Sequence, residues 1–166
     1  MLILSFDIGI KNLAYCLLDT EDKCILDWNI LDCSGENETL RVIKELDDLE
    51  YLKEADVVLL EKQPSFNPKM RIVSTAIYVY FTLRILHEKN KNVKIIYYSA
   101  KNKLKNCPLN ITFKTKNRYL QNKKLAVEYT KFLLNEQGNS IIKFFNNCKK
   151  KDDLADCYLQ ALSYLI

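Results

Sequence analysis

Two apolar runs in this chain each end on a carboxylate, and that pairing constrains the fold more than any other feature. The first is LILSFD, Leu2 to Asp7, and the second is VVLLE, Val57 to Glu61. Apolar and β-branched residues through Ile3 and Phe6, a break at Gly9 and a second run from Leu13 to Leu18 read as a β-hairpin. VVLLE is the short continuous run of a strand buried on both faces. A charge at the end of such a strand must be paired, metal-bound or in water, because its desolvation is costly. Asp7 is therefore either an acceptor for the turn that follows it or part of a metal or phosphate site.

The remaining elements fall in a definite order. Cys24 to Leu31 is a third strand, completing an antiparallel meander. Asn37 or Glu38 opens an amphipathic helix carrying Leu40, Ile43, Leu46 and Leu49. Lys62 to Lys69, with two prolines, is a loop, and Met70 to Glu88 is a helix with apolar residues almost all round, from Ile72 and Ile77 to Leu86. Such a helix must be covered on every side, so one side packs on the sheet and the other is expected to form a homodimer interface.

Val93 to Tyr98 is the fifth strand, and Ser99 reads as the cap of a short helix through Lys105. A basic loop over Cys107 to Asn117 precedes a helix from Tyr119 to Glu136, with Leu125, Tyr129, Phe132 and Leu133 inward and Gly138 as its stop. Asn139 to Asn147 is ambiguous, although Ile141, Ile142, Phe144 and Phe145 suggest a short buried helix. A terminal helix follows, with Leu154, Tyr158, Ala161, Leu162 and Leu165 as its stripe. On it Asp153 and Asp156 share a face, while Asp152 is placed to cap the first turn.

A chain of 166 residues is expected to form one domain, residues 1–166. Its charge is unevenly placed. Met1 to Leu60 holds 5 Lys and Arg against 14 Asp and Glu, whereas Ala100 to Lys151 holds 13 against 2. The basic stretch, interleaved with Phe113, Tyr119, Tyr129 and Phe144, reads either as a nucleic-acid surface or as a solvated lysine face. Six cysteines without a C-x-x-C pair and a single histidine, His87, argue against zinc and for free thiols in a reducing, intracellular setting. No secretory leader or membrane-length run is read in the sequence. A metal site here must be built of carboxylates, which selects a hard cation such as Mg²⁺, with Mn²⁺ able to substitute.

The order βββαβαβα, with carboxylates on the first and fourth strands and a pair on the last helix, is the layout of an α/β ribonuclease H-like fold. Its mixed five-stranded sheet combines the antiparallel three-strand meander with parallel strands and is flanked by helices. In that fold the first and fourth strands are neighbours, so Asp7 and Glu61 converge, with Asp153 and Asp156 beside them. Four clustered carboxylates repel, and two Mg²⁺ ions per site remove that penalty. Two such ions can hold the attacking water and the leaving oxygen of a phosphodiester displacement.

The segments LSFDIGIKNLAYCLLD, VVLLEKQPSFNPKMR, IIYYSAKNKLK, QNKKLAVEY and KKDDLADCYLQAL together resemble the poxvirus Holliday junction resolvases, viral relatives of the bacterial RuvC and fungal mitochondrial resolvases. The resemblance implies a homodimeric, Mg²⁺-dependent endonuclease of the host cytoplasm. It would nick opposing strands of four-way or branched DNA, resolving recombination or replication intermediates and genome concatemers. It matches Asp7, Glu61, Asp153 and Asp156 to the metal-binding carboxylates. Lysines near the scissile phosphate are matched by Lys101 or Lys103, and by Lys123 or Lys124. Lys105, Lys114, Lys116 and Arg118 are further candidates for DNA contact, and Phe66 either stacks on bases or anchors its loop to the core.

The loop from Asn106 to Asn117 lacks the glycine-rich character of bacterial relatives, so little dependence on base sequence is expected. An actin-type ATPase would need two related halves, which the chain lacks. A non-catalytic junction-binding module of the same fold is the alternative reading, and it has no use for four carboxylates facing a polyanion.

Overall fold

The computed structural model describes residues 1–165. Strands β1 (Leu2–Asp7), β2 (Leu13–Asp19) and β3 (Ile25–Leu31) form the expected meander; β4 (Val57–Glu61) and β5 (Lys94–Tyr98) run parallel to β1. The sheet order is β3-β2-β1-β4-β5. Gly9 is dictated by the hairpin: a Cβ there would lie 2.4 Å from the carbonyl oxygen of Asn12.

Both faces of the sheet are covered, and strand alternation sorts the residues between them. Leu4, Phe6, Val58 and Leu60 pack with helices α1 (Glu38–Asp47) and α2 (Pro68–Phe81). Ile3, Val57 and Leu59 pack beneath α3 (Arg118–Leu134), α4 (Asn139–Asn147) and α5 (Lys151–Tyr164). The ambiguous segment before the last helix is thus helical, as its apolar residues suggested.

Several local expectations are corrected. Helix α2 starts two residues early because Asn67 caps it and Pro68 fits the first turn; beyond Phe81 it widens into a π-helix, Thr82–Glu88. Ser99 makes no side-chain cap, and the segment it precedes is only a 3₁₀ turn, Ala100–Asn102. On α3, Ala126, Thr130 and Leu134 are buried and Tyr129 and Leu133 pack, partly buried, against the same core as expected, while Phe132 is exposed. Ile77 belongs to the core, but Ile72, Val79, Leu83 and Leu86 remain exposed. Among the described residues no helix is long and apolar enough to cross a membrane.

Candidate active site

Asp7 and Glu61 stand at the carboxyl ends of β1 and β4, one residue beyond the ladder pair Phe6–Leu60. Alternation turns both toward the face on which α5 packs. Helix α5 is fixed there by Leu154, Tyr158, Leu159 and Ala161, all buried against the sheet. Trp28 on β3 stacks on Phe145 and donates its indole N–H to the Leu154 carbonyl at 3.0 Å, which locks the first turns of α5. The three large side chains contribute about 1.5–3 kcal/mol each on burial. That exceeds the repulsion of about 4 kcal/mol between two unit charges 4 Å apart near a protein surface, so packing can hold acids together against their charge.

At the meeting point sits the ammonium of Lys103, whose side chain is only 5% exposed. Its Nζ lies 3.5 Å from Glu61 Oε2, 3.7 Å from Asp156 Oδ2 and 3.9 Å from Asp7 Oδ1. Of the two alternatives after β5, Lys103 therefore faces the acids, whereas Lys101 is exposed. Burial and a hydrogen bond with Glu61 push Asp7 well above the ordinary carboxylate range, despite Lys103. Burial likewise raises Asp156. Burial acts on Glu61 too, but the hydrogen bond from Asp7 and the charge of Lys103 outweigh it and hold Glu61 low. Burial works against the charge on Lys103, and the three acids overcome it and raise its pKa.

Asp153 lies in the first turn of α5, with Lys123 of α3 at 3.8 Å. Burial and the neighbouring Asp152 raise its carboxyl. Asp152 is not the cap expected of it: Lys150 occupies the cap position, and the Asp152 carboxylate pairs with Lys123. Burial would raise Asp152, but that lysine holds it low. Lys123 rather than exposed Lys124 therefore joins the acidic end of α5.

A cleft of about 400 Å³ opens over this cluster, its wall shared by Glu61 and Asp156 with Lys101, Lys105 and Arg118. Lys114 and Lys116 are exposed and do not line it. Phe66 is 85% exposed, so it does not anchor its loop to the core.

One contributor escaped the sequence reading. Gln160, fully buried one turn beyond Asp156, donates from Nε2 to Ser5 Oγ at 3.0 Å and to the Phe6 carbonyl at 3.1 Å. The available signal was an amide four residues past a candidate ligand within an apolar helix.

Among the described residues no three His, Cys, Asp or Glu side chains close into a ready-made metal cage. The ammonium of Lys103 stands between the acids instead. The donor set nevertheless fits a hard divalent cation: it is all carboxylate oxygen, and it converges on a point that already demands positive charge.

The family model described as "Poxvirus A22 protein" matches residues 1–166. Resolvase OPG149 of Vaccinia virus (strain Western Reserve) is 29% identical, covering 99% of this chain and 75% of the relative. An uncharacterized protein of Acanthamoeba polyphaga mimivirus is 36% identical over an alignment of 137 residues that covers 75% of this chain and only 33% of that relative's length. Among solved structures, the fowlpox virus resolvase in complex with its substrate Holliday junction DNA matches with a TM-score of 0.67 at 27% identity, covering 99% of this chain and 97% of the other. The sheet order and helix placement are those of the ribonuclease H-like resolvase fold.

Proposed function

The chain belongs to the poxvirus A22 protein family, and on that premise we propose that it is a Holliday junction resolvase, an endonuclease that nicks opposing strands of four-way and branched DNA. The observation that carries this reading is the convergence of Asp7, Glu61 and Asp156 within 3.9 Å of one buried ammonium. A module that only bound DNA would gain nothing from buried acids facing a polyanion.

Asp7, Glu61, Asp153 and Asp156 would hold two Mg²⁺ ions, or Mn²⁺ in their place. When bound, these supply Lewis-acid charge and a water acidic enough to attack at neutral pH. The protein's own part is positioning and charge. Lys103 stabilises negative charge developing on the scissile phosphate. Lys101, Lys105 and Arg118 along the cleft, with Lys123 at its end, neutralise the strand entering it. Lys114, Lys116 and Lys124 serve a flanking duplex, and Phe66 stacks on bases near the crossover. Phosphate contacts carry no base identity, so cleavage depends little on local sequence.

The chain acts as one nuclease domain and pairs with a second copy through the exposed side of α2 and its π-helical extension, giving the two cuts a two-fold relation. Its products are resolved recombination or replication intermediates and genome concatemers. Its six unbridged thiols suit the reducing host cytoplasm. The decisive experiment incubates purified protein with a labelled immobile four-way junction, with and without Mg²⁺. Paired nicks on opposing strands, only with metal, are expected; an uncut junction with Mg²⁺ present overturns the reading.

A further inference from the structure

On the other face of the sheet from the acids lies a second cavity, of about 570 Å³, which the reading above does not use. Strand alternation creates it. Glu61 turns toward α5, and the next residue, Lys62, turns toward α2, while its N–H stays tied to the Tyr98 carbonyl at 2.8 Å. The cavity therefore sits at the carboxyl ends of β4 and β5, across the strand end from the metal-binding candidates. Its wall includes Lys62, Gln63, Ser65, Arg71, Ser74 and Tyr97.

Three features of this wall point to one class of ligand. It holds two cations, Lys62 and Arg71, and no carboxylate; neither cation forms an ion pair among the described residues. Ser74 is 1% exposed, yet its hydroxyl has no hydrogen-bond partner among the described residues. A buried hydroxyl without a partner is unusual, and a ligand that accepts its hydrogen bond accounts for it. Tyr97, half-exposed and stacked on Tyr78 at 5.6 Å, adds a flat aromatic wall. Cations, hydroxyls and an amide gathered without a counter-charge suit a phosphate, and an adjoining ring suits the sugar or base beside it.

We propose that this cavity is a second phosphate seat, which grips a backbone phosphodiester of the cleaved strand a short way from the phosphate held over the acids. The proposal rests on the nuclease reading. A strand crossing the end of β4 meets Glu61 on one side and Lys62 on the other, so holding both phosphates fixes the register of the cut. On α2 the seat is lined by Arg71, Ser74 and Thr75, and Thr75 stands one turn from both Ile72 and Val79, so the seat adjoins the exposed apolar side of the helix.

The test is junction binding by the full chain without divalent metal, followed by fluorescence anisotropy over a range of salt. Arg71→Gln is expected to weaken binding about tenfold and to reduce the slope of log affinity against log salt by about one. Ser74→Ala is expected to weaken binding about threefold without lowering Tm, because it removes a hydroxyl that bonds nothing in the free protein. A Ser74→Ala variant with wild-type affinity, or with a clearly lowered Tm, overturns the proposal even if Arg71→Gln fails to fold. Wild-type protein that nicks junctions while both variants bind normally leaves the nuclease reading standing and removes the seat. Wild-type protein that neither binds nor nicks removes both.

Discussion

The side-chain amide of Gln160 donates to the carbonyl oxygen of Phe6 at 3.1 Å, one residue before Asp7. The same nitrogen reaches Ser5 Oγ and, at 3.5 Å, the carbonyl of Leu59, two residues before Glu61. Asp156 lies one turn earlier on the same helix. One uncharged group thus ties together the three elements that bear the converging acids, without adding charge to a site crowded with it.

Replacing that amide tests its positioning role. Gln160→Leu keeps the volume, removes the hydrogen bonds and also removes the unpartnered Oε1. A stability loss of about 1–2 kcal/mol is expected in denaturant unfolding. The Mg²⁺ concentration for half-maximal nicking should rise, while junction affinity stays the same. An unchanged Mg²⁺ dependence would show that Gln160 only packs.

The acids themselves predict opposite effects on activity and stability. Asp7→Asn, Glu61→Gln and Asp156→Asn should each abolish Mg²⁺-dependent nicking while junction binding survives. Asp7, Asp153 and Asp156 have raised pKa values in the fold, so their ionisation opposes folding at neutral pH; that cost shrinks as pH falls through their folded values and is gone only below the ordinary carboxylate value of the unfolded chain. Glu61, held low, contributes in the other direction and is outnumbered. Metal-free Asp7→Asn should therefore have a higher Tm than the parent at neutral pH. Added Mg²⁺ should raise the parent's Tm more at neutral pH than in acid. Scanning fluorimetry at two pH values checks both, and an Mg²⁺ effect independent of pH would contradict the assignment.

Lys103 and Lys101 should separate sharply. Lys103→Ala leaves three buried carboxylates without their counter-ion, a loss of about 3–5 kcal/mol for broken buried pairs, and Mg²⁺ should restore part of it. Lys101→Ala, at an exposed position, should change stability by less than about 0.5 kcal/mol and affect mainly DNA affinity. Equal unfolding midpoints for the two variants would contradict this geometry.

A homodimer interface on α2 would be formed by the apolar residues that the structure leaves exposed. Val79 is 48% exposed on α2, so Val79→Glu should produce monomers in light scattering with little change in Tm. Ile77, fully buried, would unfold the protomer under the same change and report nothing about pairing. An unchanged mass for Val79→Glu would exclude this side of α2 from the interface.

The succession of strands and helices, the two carboxylate-terminated strands and the terminal helix could all be read from the chain, because period-two alternation, continuous apolar runs and helical stripes are local consequences of burial. Those patterns also set the faces: Glu61 and Lys62, adjacent in sequence, must point to opposite sides of the sheet. Tertiary contact decided what locality cannot express. Which of Lys101 and Lys103 turns inward depends on a 3₁₀ turn meeting acids from β1, β4 and α5. Whether Asp152 caps its helix or pairs depends on Lys123, 29 residues away. Gln160 acquires its role only because the packed sheet brings the carbonyl of Phe6, 154 residues distant, within reach of its amide. Hydrophobic patterning tells a side chain which way to face, but a charge or an amide takes its role from partners that only the packed chain supplies.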